Sequence, residues 1–525
     1  MTLPAVTPRE VRQDWIARRE IALLDLREED PFARAHPLFA SQLPLSRLEL
    51  EILDRVPRKD VRIVLYDNGE GLVSPAGKRL AALGYTNVHA LKDGLSGWSA
   101  AGYELFQDVN SYSKAFGELV EARRHTPSLP APDVQALIDA KADHVILDAR
   151  RFEEYATMSI PGGVSTPGAE LVLRAREIAP DPATTIIVNC AGRTRSLIGA
   201  QSLVNAGLPN PVFALRNGTI GWTLAQQNLE HGQARRFPSV SDQTLYEART
   251  KARDVAYRAG VRRIDAEGLA DLAQDRKRTL YRFDVRTPEE YAAGHLPGFR
   301  SAPGGQLVQE TDVFAPVRGA RIVLADDLGP RADMSASWLA QLGWDVYVLD
   351  GGFDAELETR PWRATAPPLP TVETLTPRDL AQALADDAVV VLDLAPSPLH
   401  RKGHVPGAWF AIRARLAEAF ERIPEGKPIV LTSPDGALAL LAAAEVEEIS
   451  DHPVRVLEGG TNAWIAAGRA VEPGLIRAAS DPEDVYKRPY EGTDNATEAM
   501  QAYLDWEYGL VDQLARDGSH GFFVI

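Results

Sequence analysis

The most informative stretch of the chain is Thr185-Ile186-Ile187-Val188-Asn189-Cys190-Ala191-Gly192-Arg193-Thr194-Arg195-Ser196. Its β-branched apolar half predicts a buried strand that ends at Asn189. Apolar residues at helical spacing follow from Leu197 to Ala206 and predict a helix that begins near Ser196. The residues between strand and helix form a tight loop at a helix N-terminus, where successive backbone N–H groups can converge on one atom. Such a loop is suited to binding an anion.

Cys190 in this loop is the single cysteine among 525 residues. A helix N-terminus and nearby cations lower the pKa of a thiol by roughly one to several units. With Arg193 and Arg195 beside it, we therefore predict that Cys190 is a nucleophilic thiolate and that the two arginines attract an anionic substrate. A buried, inert core cysteine is the alternative.

The amino-acid composition argues against several kinds of partner and binding site. With 57 basic and 73 acidic side chains the formal net charge is −16, which argues against nucleic acid or an anionic membrane as a general partner. One cysteine excludes an intramolecular disulfide, and the absence of clustered Cys or His ligands predicts no metal site. No phosphate-binding glycine loop stands out, so we expect no cofactor. The N-terminal residues lack a signal-peptide pattern and no apolar run approaches the ~18 residues of a membrane span, so we expect a cytoplasmic protein.

Four short signatures recur in the same order four times along the chain. The first is an apolar strand that ends in Asp, followed in three copies by Arg two residues later. The second is a Pro-Gly turn, which is degenerate around His36-Pro37 in the first copy. The strands of the first signature are Leu24-Asp25-Leu26-Arg27, Leu147-Asp148-Ala149-Arg150, Phe283-Asp284-Val285-Arg286 and Leu392-Asp393-Leu394-Ala395.

The third signature is a buried strand that runs into a loop, and the fourth is a strand followed by a glycine turn and usually a tryptophan. The fourth includes Leu215-Arg216-Asn217-Gly218 with Trp222 in the second copy. The third occurs as Ile63-Val64-Leu65-Tyr66-Asp67, Ile186-Ile187-Val188-Asn189-Cys190, Ile322-Val323-Leu324-Ala325-Asp326 and Ile429-Val430-Leu431-Thr432-Ser433.

Each repeat is long enough to be a domain. Within a repeat, continuous apolar strands alternate with helical segments, which predicts an α/β fold with a parallel sheet and helices on both faces. Ligands of such sheets bind beyond the carboxyl ends of the strands, where Cys190 lies. Helical connectors are expected near 109–125 and 233–258. We predict domains at 1–107, 127–230, 260–362 and 371–473, and an ordered, aromatic-rich C-terminal tail at 476–525.

These signatures resemble those of the rhodanese (sulfurtransferase) family. Asp284-Val285-Arg286-Thr287-Pro288-Glu289-Glu290-Tyr291-Ala292-Ala293-Gly294-His295-Leu296-Pro297-Gly298 is similar to the family's most recognisable motif, and Cys190 stands where the family's catalytic cysteine is expected. The resemblance implies four tandem domains, each with a central parallel sheet of about five strands. It also implies a cysteine that accepts a sulfane sulfur as a persulfide and passes it to a thiophilic acceptor.

The expected active site belongs to the second copy. Cys190, Arg193 and Arg195 are the expected catalytic residues. Ala191, Gly192, Thr194 and Ser196 complete the substrate loop, with Thr194 and Ser196 also expected to cap the helix that follows. Asp148 and Arg150 are expected to support the site as a buried ion pair. The other three copies lack a thiol, carry Asp67, Asp326 or Ser433 at the cysteine position, and are expected to be inactive scaffolds.

Within the family that the chain resembles, basic loops accompany the use of thiosulfate. The resemblance therefore implies thiosulfate or a low-molecular-weight persulfide such as glutathione persulfide as the donor for this basic loop. Cyanide, glutathione or a protein thiol is the expected acceptor, and a homodimer is compatible with the sequence. A persulfide carrier or redox sensor is an alternative function. A cysteine-dependent phosphatase or arsenate reductase is less well supported, since Ser196 and not an arginine stands six positions after Cys190.

Overall fold

The computed structural model of the protein describes residues 3–525. Met1 and Thr2, with which the predicted first domain begins, lie outside the described residues. Four five-stranded sheets follow one another along the chain, and every strand pair is parallel. Each sheet has the same strand order, in which the fourth strand of the repeat is central. The predicted fold class, four tandem α/β repeats with parallel sheets, is confirmed.

The first sheet has the order β1-β5-β4-β2-β3. Its strands are β1 (Ala5–Val6), β2 (Ala22–Asp25), β3 (Ser41–Gln42), β4 (Ile63–Tyr66) and β5 (Val88–Leu91), and its helices are α1 (Pro8–Ile16), α2 (Glu29–Arg34), α3 (Leu48–Arg55), α4 (Val73–Ala82) and α5 (Gly94–Ala100). Helix α6 (Ser111–Arg124) then leads to the second repeat.

The second sheet has the order β6-β10-β9-β7-β8 and carries Cys190 directly after its central strand. Its strands are β6 (Ser128–Leu129), β7 (His144–Asp148), β8 (Val164–Ser165), β9 (Thr185–Asn189) and β10 (Val212–Leu215), and its helices are α7 (Ala131–Asp139), α8 (Phe152–Thr157), α9 (Leu171–Ile178), α10 (Thr194–Asn205) and α11 (Gly218–Leu224). Strand β9 pairs with β7 up to the register Asp148 opposite Asn189, so both strands end at the same edge.

The third and fourth sheets repeat this arrangement. The third comprises β11 (Arg262–Ile264), β12 (Leu280–Asp284), β13 (Arg300–Ser301), β14 (Arg321–Ala325) and β15 (Asp345–Leu349), with α12 (Asp242–Arg258) before it and α13 (Ala266–Gln274), α14 (Pro288–Ala293), α15 (Gly304–Gln309), α16 (Thr311–Phe314) and α17 (Pro330–Gln341) around it. The fourth comprises β16 (Thr374–Leu375), β17 (Val390–Asp393), β18 (Trp409–Phe410), β19 (Ile429–Thr432) and β20 (Val454–Leu457), with α18 (Pro377–Ala385), α19 (Ser397–Lys402), α20 (Leu416–Phe420), α21 (Ala437–Ile449) and α22 (Gly460–Ala466).

Helix α6 differs from the polar connector that its sequence suggests. Ten of its residues are buried, including Lys114 and Glu118. Burying a charged side chain costs free energy unless the charge is paired. Both charges are paired here: Lys114 contacts Asp108, and Glu118 contacts Arg193. Helix α6 is therefore an interior element that links the first two repeats.

The C-terminal tail, residues 476–525, packs on several repeats in turn. Ala479 joins the core of the fourth repeat, and Tyr503 with its neighbours packs against Ala191 and Ile220 of the second. Helix α23 (Thr497–Tyr508) carries Tyr503, and α24 (Leu510–Asp517) buries Leu510 and Leu514 in the core that the first and third repeats share. Across residues 3–525, no helix is both long and apolar enough to cross a membrane.

Candidate active site

The glycine turn after β10 holds the Cys190 loop. The backbone N–H of Thr219 donates to the Cys190 carbonyl at 2.9 Å, and the N–H of Ile220 donates to the Ala191 carbonyl at 3.0 Å. Gly218 allows this approach: its φ is +53°, and a Cβ there would lie 2.2 Å from the Cys190 carbonyl oxygen. Gly218, the glycine of the fourth signature in this repeat, is thus required by the loop it contacts.

A buried ion pair supports the loop from the neighbouring strand. Arg150 donates to Asp148 through Nε at 2.9 Å and Nη2 at 2.7 Å, and both side chains are buried. The side-chain amide of Asn189 also donates to Asp148 at 2.8 Å. Asp148 therefore fixes the residue directly before Cys190, which is a structural role of the kind that the sequence suggested.

Arg195 is the cation that acts on the thiol. Its guanidinium makes two hydrogen bonds of 2.8 Å to the carboxylate of Glu154 on α8, and its charge lowers the pKa of Cys190. The third repeat has the same pair, since Arg331 lies five positions after Asp326 and contacts Glu290 at 2.7 Å. The Arg195–Glu154 pair is thus common to a repeat with a thiol and one without.

Arg193 occupies a different place from the one expected of a substrate-binding arginine. Its guanidinium donates to both oxygens of Glu118, at 2.7 and 2.8 Å, and also pairs with Glu121 on α6. The hydroxyl of Tyr508 accepts a further hydrogen bond at 2.9 Å. With 3% of its side chain exposed, Arg193 fastens the loop to α6 and the tail.

The expectation that Thr194 or Ser196 caps α10 is wrong. No side chain caps this helix, whose N-cap residue is Arg193. Ser196 Oγ instead donates to the Arg193 carbonyl at 2.8 Å, and Thr194 Oγ1 donates to Glu507 at 3.4 Å. Neither hydroxyl accepts a hydrogen bond from the first turn of α10.

The prediction of a low thiol pKa is also wrong for this closed arrangement. Burial raises the pKa of Cys190, while the charge of Arg195 and hydrogen bonding from Ser196 lower it. The thiol is 2% exposed, so desolvation of the thiolate is the largest effect. The sequence could not reveal the surroundings of the loop, because residues of the distant tail pack against Ala191 and Gly192.

The tail covers the loop with aromatic rings and one carboxyl group. A Cβ at Gly192 would lie 3.0 Å from the Tyr503 ring and 3.3 Å from Glu507 Oε2. Tyr490, Tyr503 and their neighbours form an apolar cluster with Ala191. Gly192 is therefore the point at which the tail meets the loop.

Lys114 anchors this cover from α6. Its ammonium group donates to Asp108 at 2.9 Å and to the Tyr490 hydroxyl at 3.1 Å. The Nζ atom also lies 4.5 to 5.6 Å from the centroids of three tail rings, those of Tyr490, Tyr503 and Trp506. These cation–π contacts are desolvated, since Lys114 is 2% exposed.

Lys114→Met is expected to speed the alkylation of Cys190 by iodoacetamide about thirtyfold, because a desolvated cation–π contact stabilises by about 2 kcal/mol. Losing it shifts the tail toward positions that leave the thiol open. The alkylation rate can be followed by intact-protein mass spectrometry. Lys487→Met is the matched control, since Lys487 lies in the same tail but is exposed. Equal rates for both variants would contradict the anchoring role.

The cysteine-less repeats fill the equivalent loop with their own side chains. Asp67 accepts from the N–H groups of Gly69 and Leu72, at 3.1 and 2.6 Å. Asp326 likewise accepts from three backbone N–H groups, at 2.9 to 3.3 Å, and Ser433 Oγ accepts from one. In those loops the N–H groups converge on an acceptor that the chain supplies at the cysteine position.

Several residues of the site were missed by sequence reasoning. Lys114 and Glu118 on α6 lie in the predicted connector, and Tyr503 and Glu507 lie in the predicted tail, whose position the sequence does not indicate. The sequence analysis does not single out Glu154. The one usable signal was the repeat: Glu290 in the family-like motif predicts Glu154 by alignment. Nothing local indicates that Glu507 reaches a loop more than 300 residues away, as its contact with Thr194 shows.

Comparison with known protein families agrees with the four-repeat architecture. The family description "Rhodanese-like domain" matches residues 7–101, 130–225, 265–358 and 376–467, so the chain belongs to the rhodanese-like family.

Similar proteins of named activity indicate the class of reaction. A crystal structure of a thiosulfate sulfurtransferase from Pseudomonas aeruginosa is 61% identical to this chain, covers 100% of both chains and has a TM-score of 0.99. The thiosulfate sulfurtransferases GlpE of Ectopseudomonas mendocina and Pseudomonas fluorescens are each 33% identical over 88 residues, which is 16% of this chain and 71% of each relative. These similarities support sulfurtransferase activity for this chain.

Proposed function

We propose that the protein transfers a sulfane sulfur from thiosulfate to a thiophilic acceptor through a persulfide on Cys190. The observation that carries this proposal is the contrast among the four loops. Three of them fill their ring of N–H groups with Asp67, Asp326 or Ser433, whereas the second carries a thiol there. A persulfide on Cys190 would extend a terminal sulfur anion toward such donors, which is the charge they can stabilise.

The proposed transfer proceeds in two displacements. The Cys190 thiolate attacks the outer sulfur of thiosulfate, and the S–S bond of thiosulfate breaks with its electron pair leaving on sulfite. A cyanide ion or thiolate then attacks the terminal sulfur, and the electron pair of the persulfide bond returns to Cys190. The thiol proton passes to solvent before the first step. Because the covered thiol resists ionisation, we propose that the tail moves aside while the thiol ionises and thiosulfate enters, and then closes again over the bound anion.

Intact-protein mass spectrometry tests this function. After incubation with thiosulfate, the protein should gain the mass of one sulfur atom, and addition of cyanide should remove that mass while thiocyanate forms. Glutathione persulfide and 3-mercaptopyruvate serve as alternative donors. An unchanged mass with all three donors would overturn the proposal.

A persulfide carrier is the second candidate, and the burial of Cys190 favours it. A persulfide enclosed by the tail would be protected from small thiols and released only where a partner protein displaces the tail. A stable persulfide that cyanide and glutathione leave untouched would support the carrier. Rapid turnover with either acceptor would support the enzyme. The geometry disfavours phosphatase or arsenate reductase chemistry, because the Arg195 guanidinium is already bound by Glu154.

We further propose that the cysteine-less repeats are scaffolds. The buried residues of the first and third repeats form one continuous apolar cluster, to which the tail contributes Leu510, Leu514 and Phe522. The repeats thereby fix both α6 and the tail around the second loop. The domain divisions given above stay part of this proposal, and limited proteolysis would test them.

We also propose that the protein acts in sulfur metabolism in the cytoplasm, as a monomer or homodimer. A single free thiol suits a reducing compartment. The net charge of −16 disfavours nucleic acid as a partner. Light scattering would establish the oligomeric state.

A further inference from the structure

The two oxygens of the Glu507 carboxyl group have unequal surroundings. Oε1 accepts hydrogen bonds from the Tyr503 hydroxyl at 2.7 Å and from the Thr194 hydroxyl at 3.4 Å. Oε2 is buried and has no hydrogen-bond partner among residues 3–525. Glu507 as a whole is 0% exposed, so bulk solvent does not reach Oε2. A buried polar atom without a partner is costly and needs an explanation.

This pattern fits a protonated carboxyl group. An ionised carboxylate has two equivalent acceptor oxygens, whereas the acid has one acceptor oxygen and one O–H donor. Two donors on Oε1 and none on Oε2 correspond to the acid, with the proton on Oε2. The surroundings agree, because burial and the neighbouring Glu118 raise the pKa of Glu507 to about 8.

Charged and titratable groups face Glu507 from each element packed against it. Three of these groups lower the pKa of Glu507: Lys114 on α6, Arg193 in the loop and Tyr503 on the helix of Glu507 itself. Glu118 on α6 raises it, and Cys190 in the loop is neutral as the thiol. Burial outweighs the cations because Lys114 and Arg193 are already paired, with Asp108 and with Glu118 and Glu121.

The free oxygen is directed at the loop. Glu507 Oε2 would lie 3.3 Å from a Cβ at Gly192, two residues after Cys190. A side chain at position 192 would stand between the carboxyl group and the loop, and glycine leaves that space open. The carboxyl group is also close enough to Cys190 to act on its pKa. A donor O–H at this place needs an acceptor, and an anion held in the loop would supply one.

We propose that Glu507 donates a hydrogen bond from Oε2 to the anionic sulfur species bound at Cys190, thiosulfate before transfer and the terminal persulfide sulfur after it. This inference rests on the proposed function. The proton stays on the carboxyl group, and no bond is made or broken there. Glu507 is then a catalytic residue supplied by the tail. Above the pKa of the acid it loses the donor and places a negative charge beside the anion.

Thiosulfate binding to Cys190→Ser protein, measured by calorimetry at several pH values, tests this role without interference from thiol ionisation. The dissociation constant should rise about tenfold between about pH 7 and pH 9 in Cys190→Ser, because a hydrogen bond to a charged group is lost. It should stay level in Cys190→Ser/Glu507→Gln, whose amide keeps one acceptor and one donor at every pH. Asp505→Asn in the same background removes an exposed carboxylate from the same helix and should leave the pH dependence intact.

Three results would overturn the inference. The first is a thiosulfate dissociation constant in Cys190→Ser that does not change with pH. The second is a pH dependence in Cys190→Ser/Glu507→Gln equal to that in Cys190→Ser. The third is the absence of thiosulfate binding to Cys190→Ser at about pH 7. A proton-accepting role for Glu507 would instead show as loss of activity in Glu507→Gln with unchanged binding. The proposed function fails separately, when wild-type protein forms no persulfide from thiosulfate. A persulfide in wild-type protein with pH-independent binding removes only the role of Glu507.

Discussion

Cys190→Ser is expected to abolish persulfide formation and to lower thiocyanate production from thiosulfate and cyanide by about a thousandfold or more, because the hydroxyl is a far weaker nucleophile than a thiolate. The fold should be unchanged. Serine is close to cysteine in size, and the backbone contacts of the loop, from Thr219 and Ile220 to the carbonyls of Cys190 and Ala191, do not involve the sulfur. Thiocyanate can be measured by its coloured iron complex.

Cys190→Ala is the companion variant, since it removes the hydroxyl as well and should show the same loss. Circular dichroism and thermal unfolding would show whether each variant is folded. Thiocyanate production by Cys190→Ser at a rate near that of the wild type would contradict the assignment of Cys190 as the sulfur-carrying residue.

Arg331→Met is expected to lower the free energy of unfolding by about 3–5 kcal/mol, because it leaves buried carboxylates without their counter-charge. Arg331 is 0% exposed and contacts two buried carboxylates, those of Glu170 in the second repeat and Asp326 in the third. It also contacts the partly exposed carboxylates of Glu290 and Asp327 in the third repeat. Urea denaturation would measure the change. The expected drop in melting temperature is on the order of 10 °C.

Arg360→Met is the matched control. Arg360 is an exposed arginine of the same repeat and pairs only with Glu358, so its loss should have no measurable effect on stability. A comparable effect from both variants would show that the Arg331 cluster contributes no more than a surface pair. If Arg331→Met unfolds in two steps, the order of the steps would identify which repeat the cluster stabilises.

The architecture could be predicted from the sequence because its signals are local and repeated. Strands such as β9 are continuous apolar runs, and the strands of the first signature, such as β7, end in an Asp that recurs at the same place in every repeat. Alignment of the repeats also predicts which loop differs from the others, since Cys190 stands where Asp67, Asp326 and Ser433 occur. The ion pair of Asp148 and Arg150 followed from the same repetition.

The surroundings of Cys190 could not be predicted, because they depend on long-range packing. Lys114 and Glu118 give α6 a polar appearance, and only the positions of Asp108 and Arg193 show that both charges are buried in pairs. The thiol pKa was predicted from the loop alone, whereas burial under the tail reverses its direction. Long-range packing likewise places Glu118 of α6 beside Arg193, and the sequence of the loop does not indicate this partner.

The contact between the loop and α23 also sets the order in which the site is made during protein synthesis. Thr194 and Glu507 are 313 residues apart in the sequence. At a translation rate of about 5–20 residues per second, the loop leaves the ribosome on the order of tens of seconds before its cover does. A newly made second repeat therefore presents an uncovered thiol to the cell, and oxidants or alkylating agents reach Cys190 most easily on unfinished chains.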